Sequence, residues 1–473
     1  MRAVLLLVFV LAFAAPARAA LVVVGATLID GNGAAPIPDS AVVIEGDRVV
    51  AAGPAATVRV PPGATFVDAR GKFLVPGFWD LHVHVLRDGR PEAYFPVLVA
   101  HGIVGVRDMG GRFDFARIAR LKAEVASGAR LGPRFVAPGP IVDGPWAQLP
   151  SLSVIVADAE AARAEVRRLH AQGADFVKVF NRLTRDAWFA IADESRRLGL
   201  PFAGHVPLAI SAREASEGGQ KSLEHLFNVS FACATREDEL MRRKAEALAS
   251  DESGERRRLR RAYLRDALAS FDDAKCASLF QAFARNGTWM CPTLIERRAF
   301  ALPDPSIATD PDRRYVPKSE RALWDPQQDR RIQGREEEDR SIERAFHARD
   351  VGLVAPMRRA GVGFLAGTDA GDLFSIPGPS LHRELELLVE AGLTPMEALQ
   401  AATRNAATFL GTDVAAGTIA AGLRADLVLL DADPLADIRN TRRIAAVAIG
   451  GRWLDRATLD RILADAAAAA ERS

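Results

Sequence analysis

The chain has 473 residues, 61 Lys+Arg against 60 Asp+Glu, and a net charge of +1. Near-neutrality gives no electrostatic footprint for nucleic acid or an anionic membrane surface, and 49% hydrophobic with 26% charged residues excludes a disordered or fibrous chain. Three cysteines, Cys233, Cys276 and Cys291, are too few for a disulfide scaffold or a thiolate zinc site, and the odd number leaves at least one unpaired.

Met1-Arg2 precedes an apolar run from Val4 to Ala15, and Ala17-Arg18-Ala19 has small-x-small form. The pattern predicts an export signal over residues 1–19, with a mature chain from near Ala20 that is periplasmic or extracellular. The run is too short to span a bilayer of about 30 Å. No second long apolar stretch follows, so no membrane association is expected after cleavage. LVVVGATLI and AVVIEGDRVVAAG near the start are matched by ADLVLLDA and IAAVAIGGRWL near the end. Two β-rich ends predict a small β-sandwich domain from residues 20–74 and 412–473, with residues 75–411 inserted into it.

The middle alternates strand and helix. Asp158 caps a helix whose apolar positions Ala159, Ala162, Val166 and Leu169 share a face, and Gly173 ends it. FVKVF follows as a strand. Thr184 starts the next helix and Gly199 stops it before PFAGHV. Ser211 with Glu214, and Thr394 with Glu397, form capping boxes. Eight strand candidates centre near Leu81, Val104, Val136, Val177, Ala203, Leu223, Met290 and Phe364. Regular alternation predicts an α/β fold with right-handed crossovers, closed as a (β/α)8 TIM barrel. Charged segments near 235–284 and 296–350 fall between barrel strands and project from it, as solvated insertions or as a substrate-shaping lid.

Chemistry gathers at strand ends. His82 and His84, two residues apart on one strand, face the same side. Only 7 of the 61 basic residues are lysine, so Lys178 between the apolar neighbours of FVKVF is a rare choice. Burying its ammonium costs several kcal/mol unless it is paired or modified. His205 ends PFAGHV, His225 ends SLEHL, and Asp369 ends GVGFLAGTDA. Each histidine alone could be a satisfied core residue. Together they lie on the rim where barrel enzymes place their sites, and imidazole with carboxylate suits zinc or a similar divalent ion.

PGFWDLHVHV, the Lys in FVKVF, GHV, LEHL and GTDA occur in the order and on the strands of the amidohydrolase superfamily, which the chain resembles from about Leu21 to Leu454. It looks most like the group with a carboxylated lysine and two metals, near secreted prolidase-like and imidazolonepropionase-related hydrolases. The resemblance implies a metal-dependent hydrolase of amide-type bonds in dipeptides, N-acyl amino acids or cyclic amides. It implies two divalent ions, with Zn2+ the ion such ligands suit: His82, His84 and Asp369 on one, His205 and His225 on the other. Lys178, N6-carboxylated, would bridge them. A hydroxide between the cations would attack the carbonyl, and Asp369 would take its proton and pass it to the leaving group.

Related families use the same site on lactones, carbamates and phosphotriesters, which is the alternative reading. A non-catalytic binding protein on the same barrel would show lost ligands, and all six positions are filled. Asn181, Asn228, Asp143 and Trp146 lie in loops beyond the strands as candidate substrate contacts. The GPIVDGPW loop lacks the Gly-Gly-His element of prolidase-like relatives, which speaks against a dipeptide. Arg107-Asp108 reads as a structural salt bridge and His382 as helix-start structure or support of the site. His101, His170 and His347 read as surface or packing residues. The expected partner is a small-molecule substrate, and a homo-oligomer stays open.

Overall fold

Valine, isoleucine and leucine crowd both ends of the chain, and β-branched residues suit a pleated surface. In the computed structural model, which describes residues 19–473 apart from 88, 251, 305, 307–308, 325–328, 330 and 373, these ends meet in one eight-stranded sheet. In spatial order its strands are Arg452–Asp455, Ile444–Ile449, Leu427–Leu430, Phe73–Pro76, Leu21–Leu28, Ile37–Glu45 and Arg48–Pro54; Thr65–Asp68 runs parallel beside Leu21–Leu28. The two ends join where Leu427–Leu430 lies antiparallel to Phe73–Pro76. Alternation divides the faces: Val23, Val42, Leu74, Leu427 and Leu429 bury in one apolar cluster, while Val22, Ala41 and Val43 enter another. The pairing gives one sheet, and the two-sheet sandwich expected from the sequence goes beyond it. The expected export signal lies, but for Ala19, outside the described residues.

The middle of the chain is α/β. Phe78–Val83, Ile103–Asp108 and Arg134–Val136 form one parallel sheet. Ser153–Ile155, Ile141–Asp143, Val177–Val179, Phe202–Gly204, Ser222–Glu224 and Trp289–Cys291 form a second, also parallel. Residues 364–370 link the two. Phe364 bridges Met290, Ala370 bridges Val83, and the Leu81 amide donates to the Ala366 carbonyl at 2.8 Å. This segment contributes bridges where a full eighth strand was expected. Gly361 and Gly363 precede it and Gly367 interrupts it, and glycine weakens a ladder.

Helices form where caps and periodicity agree. Asp158 accepts from the Ala161 amide at the start of Ala159–Ala171. Arg185–Leu198 begins at Thr184 and ends at Gly199, whose φ of 65° glycine adopts freely. Both capping boxes form. In the first charged segment, Glu237–Ala249 and Ser253–Ala269 pack on each other, and the second also packs on Glu337–Gly352. Leu240, Tyr263, Leu264 and Phe346 make their separate core. Asp273–Asn286, placed with that insertion in the sequence reading, is capped by Asp272 and feeds the Trp289–Cys291 strand. It is a crossover helix. A Cys233–Cys276 disulfide closes the base of the helical pair, and Cys291 is free and buried. No described helix is long and apolar enough to cross a membrane.

Candidate active site

The strand ends bring His82, His84, Lys178, His205, His225 and Asp369 to one end of the parallel strands. Ring centroids are 5.7 Å apart for His82 and His84, 4.5 Å for His82 and His225, and 4.8 Å for His205 and His225. Asp369 Oδ1 lies 3.3 Å from His82 Nε2 and 3.2 Å from His84 Nε2. Close approach is built into the backbone: a Cβ on Gly367 would fall 2.5 Å from Cys291 Sγ and 2.8 Å from His82 Cβ. His225 (φ 60°), Thr293 (φ 46°) and Asp369 (φ 59°) adopt left-handed backbone, which costs a non-glycine residue about 1–2 kcal/mol. Strain of this kind collects where a side chain must be aimed.

Each imidazole is held through Nδ1. His82 Nδ1 is 2.8 Å from Glu224 Oε2, His84 Nδ1 3.1 Å from the Gly110 carbonyl, and His205 Nδ1 2.9 Å from Asn181 Oδ1; His225 Nδ1 bonds the Thr293 hydroxyl. That leaves the four Nε2 atoms for another partner, the arrangement by which outer hydrogen bonds orient metal-ligating histidines. Burial and the neighbouring cations push His205 and His225 well below the usual imidazole range, so both offer neutral, ligating rings. Burial opposes charge on Asp369, yet His82, His84 and His225 hold its carboxyl well below the usual range.

Whether a divalent ion fits can be tested on unsatisfied atoms. His82 Nε2 and Asp369 Oδ1 are buried without a hydrogen-bond partner, and ligand atoms of His82, His225 and Asp369 lie within 4.8 Å of one another. Buried polar atoms are rarely left orphaned. Lys178, 1% exposed, makes no hydrogen bond or ion pair among the described residues, and burial pushes its ammonium down to about 8. The donor set fits a divalent cation.

Around this cluster stand Asp80, Ser222, Glu224 and Thr368, which the sequence reading passed over, and Arg107, which it paired with Asp108. Arg107 donates to both Glu224 oxygens at 2.9 Å and to Ser222. Its salt-bridge partner is Glu224, across the strands, whereas its neighbour Asp108 caps the Val85, Leu86 and Gly110 amides. Burial disfavours the Glu224 charge, but Arg107, His82 and Lys178 hold it below the usual range. Thr368 and Asp80 pin the Asp369 turn to the His82 strand at 2.6 Å. The available signal was alternation in SLEHL: Ser222 and Glu224 share a face, opposite Leu223.

The weaker candidates are spent elsewhere. Asn181 positions His205 and donates to Gln148. Asn228 donates to the Val206 carbonyl and accepts from Lys244. Asp143 caps the amides of Gly144, Gln148 and Arg182. Trp146 is 84% exposed: its loop closes on Asp143, leaving the indole in solvent. His382 bonds Thr441 and the His101 carbonyl inside a helix.

A family model for the amidohydrolase family matches residues 73–454. The chain belongs to the amidohydrolase family. This amidohydrolase is 46% identical over 70 residues to N-acyl-D-aspartate deacylase of Alcaligenes xylosoxydans xylosoxydans, a match covering 15% of the chain and 13% of that protein. It is 39% identical over 83 residues to ochratoxinase of Aspergillus niger, covering 17% and 16%. The chain thus spans under a fifth of these curated relatives. Bottromycin amidohydrolase has a similar structure, with TM-score 0.72, 25% identity and coverage of 95% and 90%. A. niger ochratoxinase aligns with TM-score 0.63 at 18% identity, covering 92% and 96%, which shows the shared fold.

Proposed function

We propose that this amidohydrolase is an exported, two-metal hydrolase of amide bonds in small molecules, with His82, His84, Lys178, His205, His225 and Asp369 as ligands. The observation that carries the reading is that four imidazoles with Nδ1 engaged converge with Lys178 on the unsatisfied His82 Nε2 and Asp369 Oδ1. The parallel strands are read as a closed (β/α)8 barrel of residues 75–411, and the terminal sheet as a curled sandwich of residues 20–74 and 412–473. The Cys233–Cys276 disulfide supports an oxidising compartment and hence export. Two divalent cations, taken as Zn2+, would supply an activated water and an electrophile for the substrate carbonyl.

The chain's own residues do the rest. The Lys178 amine, once neutral, attacks carbon dioxide, forms an N–C bond and loses a proton. The product is a carbamate whose single negative charge is shared by two oxygens, a second anion beside Asp369 among the neutral imidazoles. Asp369 takes a proton from the attacking water and returns it to the leaving nitrogen. Asn181 and Glu224 keep His205 and His82 in one tautomer and orientation. The nearby resemblance to a deacylase supports N-acyl amino acids as the substrate class.

The test is reconstitution. Metal-stripped protein should be inert, and Zn2+ with bicarbonate should restore hydrolysis of N-acyl amino acids or cyclic amides. Restored activity confined to lactones, carbamates or phosphotriesters would replace the amide reading. No turnover of any of these by protein holding two ions would support a binding protein on the same scaffold.

A further inference from the structure

Both charged insertions send a cation to the same aromatic ring. Phe227, partly exposed, has its ring centroid 4.7 Å from that of His205 and 5.3 Å from that of His225. Lys244 Nζ, from the Glu237–Ala249 helix, lies 5.7 Å from the Phe227 centroid, and Arg297 Cζ, from the Leu294–Ala301 helix, lies 5.2 Å from it. Two elements distant in sequence thus place positive charge one ring away from the second pair of histidines.

Lys244 lacks a carboxylate partner. Lys244 donates to the neutral Asn228 Oδ1 at 2.6 Å and forms no salt bridge among the described residues. Arg260 is matched by Glu343, with 2.9 Å between Nη2 and Oε2. Asp350 serves Arg297 at 3.6 Å and also accepts from Ser230. Glu296, next to Arg297 in the chain, points to the histidines instead, 3.8 Å from His225 Nδ1. Arg297 Nε is buried with no hydrogen-bond partner. Burial, with Arg260 and Arg297 nearby, pushes the Lys244 ammonium down to about 7. A cation in such surroundings costs stability unless an anion joins it.

We propose that Lys244 and Arg297 form an anion subsite over Phe227 that takes a carboxylate of the substrate. The inference rests on the amide-hydrolase reading and narrows it to acidic substrates such as N-acyl amino acids. The carboxylate binds Lys244 and the open Arg297 Nε, and Phe227 spaces it from the histidines so that the amide beside it reaches Asp369. The subsite supplies the cations that the GPIVDGPW loop lacks. It also gives the insertions a role as walls of the site.

The test uses inert ketone isosteres of N-benzoylglycine, so that binding is read without turnover. Calorimetry compares 3-benzoylpropionate with its carboxamide on the metal-loaded protein. The carboxylate should bind at least 10-fold tighter than the carboxamide. Lys244→Met and Arg297→Met should each reduce that ratio several-fold, and Lys244→Arg should retain most of it. An unchanged ratio in both Met variants, or acetate binding as tightly as the isostere, would overturn the subsite. Amide hydrolysis by the same wild-type preparation reports separately on the underlying reading. Hydrolysis with no carboxylate preference sinks the subsite alone, whereas carboxylate preference without hydrolysis of any amide sinks the hydrolase reading and leaves the subsite standing.

Discussion

His82 and Glu224 share a 2.8 Å hydrogen bond between Nδ1 and Oε2, and the same carboxylate neutralises the buried Arg107 guanidinium. One anion therefore serves two purposes. It keeps a proton on His82 Nδ1 so that Nε2 faces the cluster, and it satisfies a cation that would otherwise be stranded in the interior.

Glu224→Gln removes the charge that serves both purposes. The neutral amide is a weaker acceptor for His82 and leaves Arg107 uncompensated. Breaking a buried pair from one side typically costs about 3–5 kcal/mol, and loss of an outer partner lowers metal affinity about 10–100-fold. Urea unfolding and chelator competition should show both losses. Wild-type metal affinity in the Gln variant would mean that Glu224 serves the fold and not the site.

Lys178 should distinguish a carbamate from a plain cation. Lys178→Ala should lose metal and activity together, with a short-chain carboxylic acid restoring part of both. Lys178→Arg should not rescue, because a guanidinium stays cationic and cannot bridge. Full activity of the Arg variant would show that the position needs only positive charge.

The helical pair above the site hangs on Cys233–Cys276, whose cysteines are 43 residues apart. A loop of that length implies about 4 kcal/mol from chain entropy alone. A Cys233→Ser, Cys276→Ser variant should unfold at lower urea than the oxidised wild type, and a reductant should lower the wild-type midpoint toward it. A midpoint insensitive to reductant would show that the bond does not stabilise the protein.

The strand-end chemistry was legible because parallel α/β strands read as short apolar runs, and a histidine, lysine or aspartate closing such a run stands out. The α/β class followed from capped helices between them. What escaped was long-range pairing. Glu224 sits beside His225 in sequence, but its meaning depends on Arg107 in the other parallel sheet. Lys244 looked like one of many charges on a solvated helix, since nothing local shows that its helix leans on Phe227 and Phe231. Asn181, Asn228 and Asp143 were noticed by position, yet backbone amides and neighbouring side chains had already claimed their polar atoms. The segment around Phe364 looked like a full strand because Val362, Phe364, Leu365 and Ala366 are apolar, but the glycines among them leave only bridges.

The central claim is that Asp369 moves protons between water and the leaving nitrogen while also helping to hold metal. Turnover per bound metal pair, for wild type and Asp369→Asn across pH, tests it most directly. Asn keeps the shape and one ligating oxygen but lacks a basic carboxylate, and loss of general acid–base catalysis typically costs about 10²–10⁴-fold. The account predicts a variant that keeps most of its metal and loses at least about 100-fold in turnover per metal pair. Equal turnover per metal pair in the two proteins would contradict it and leave Asp369 a ligand only.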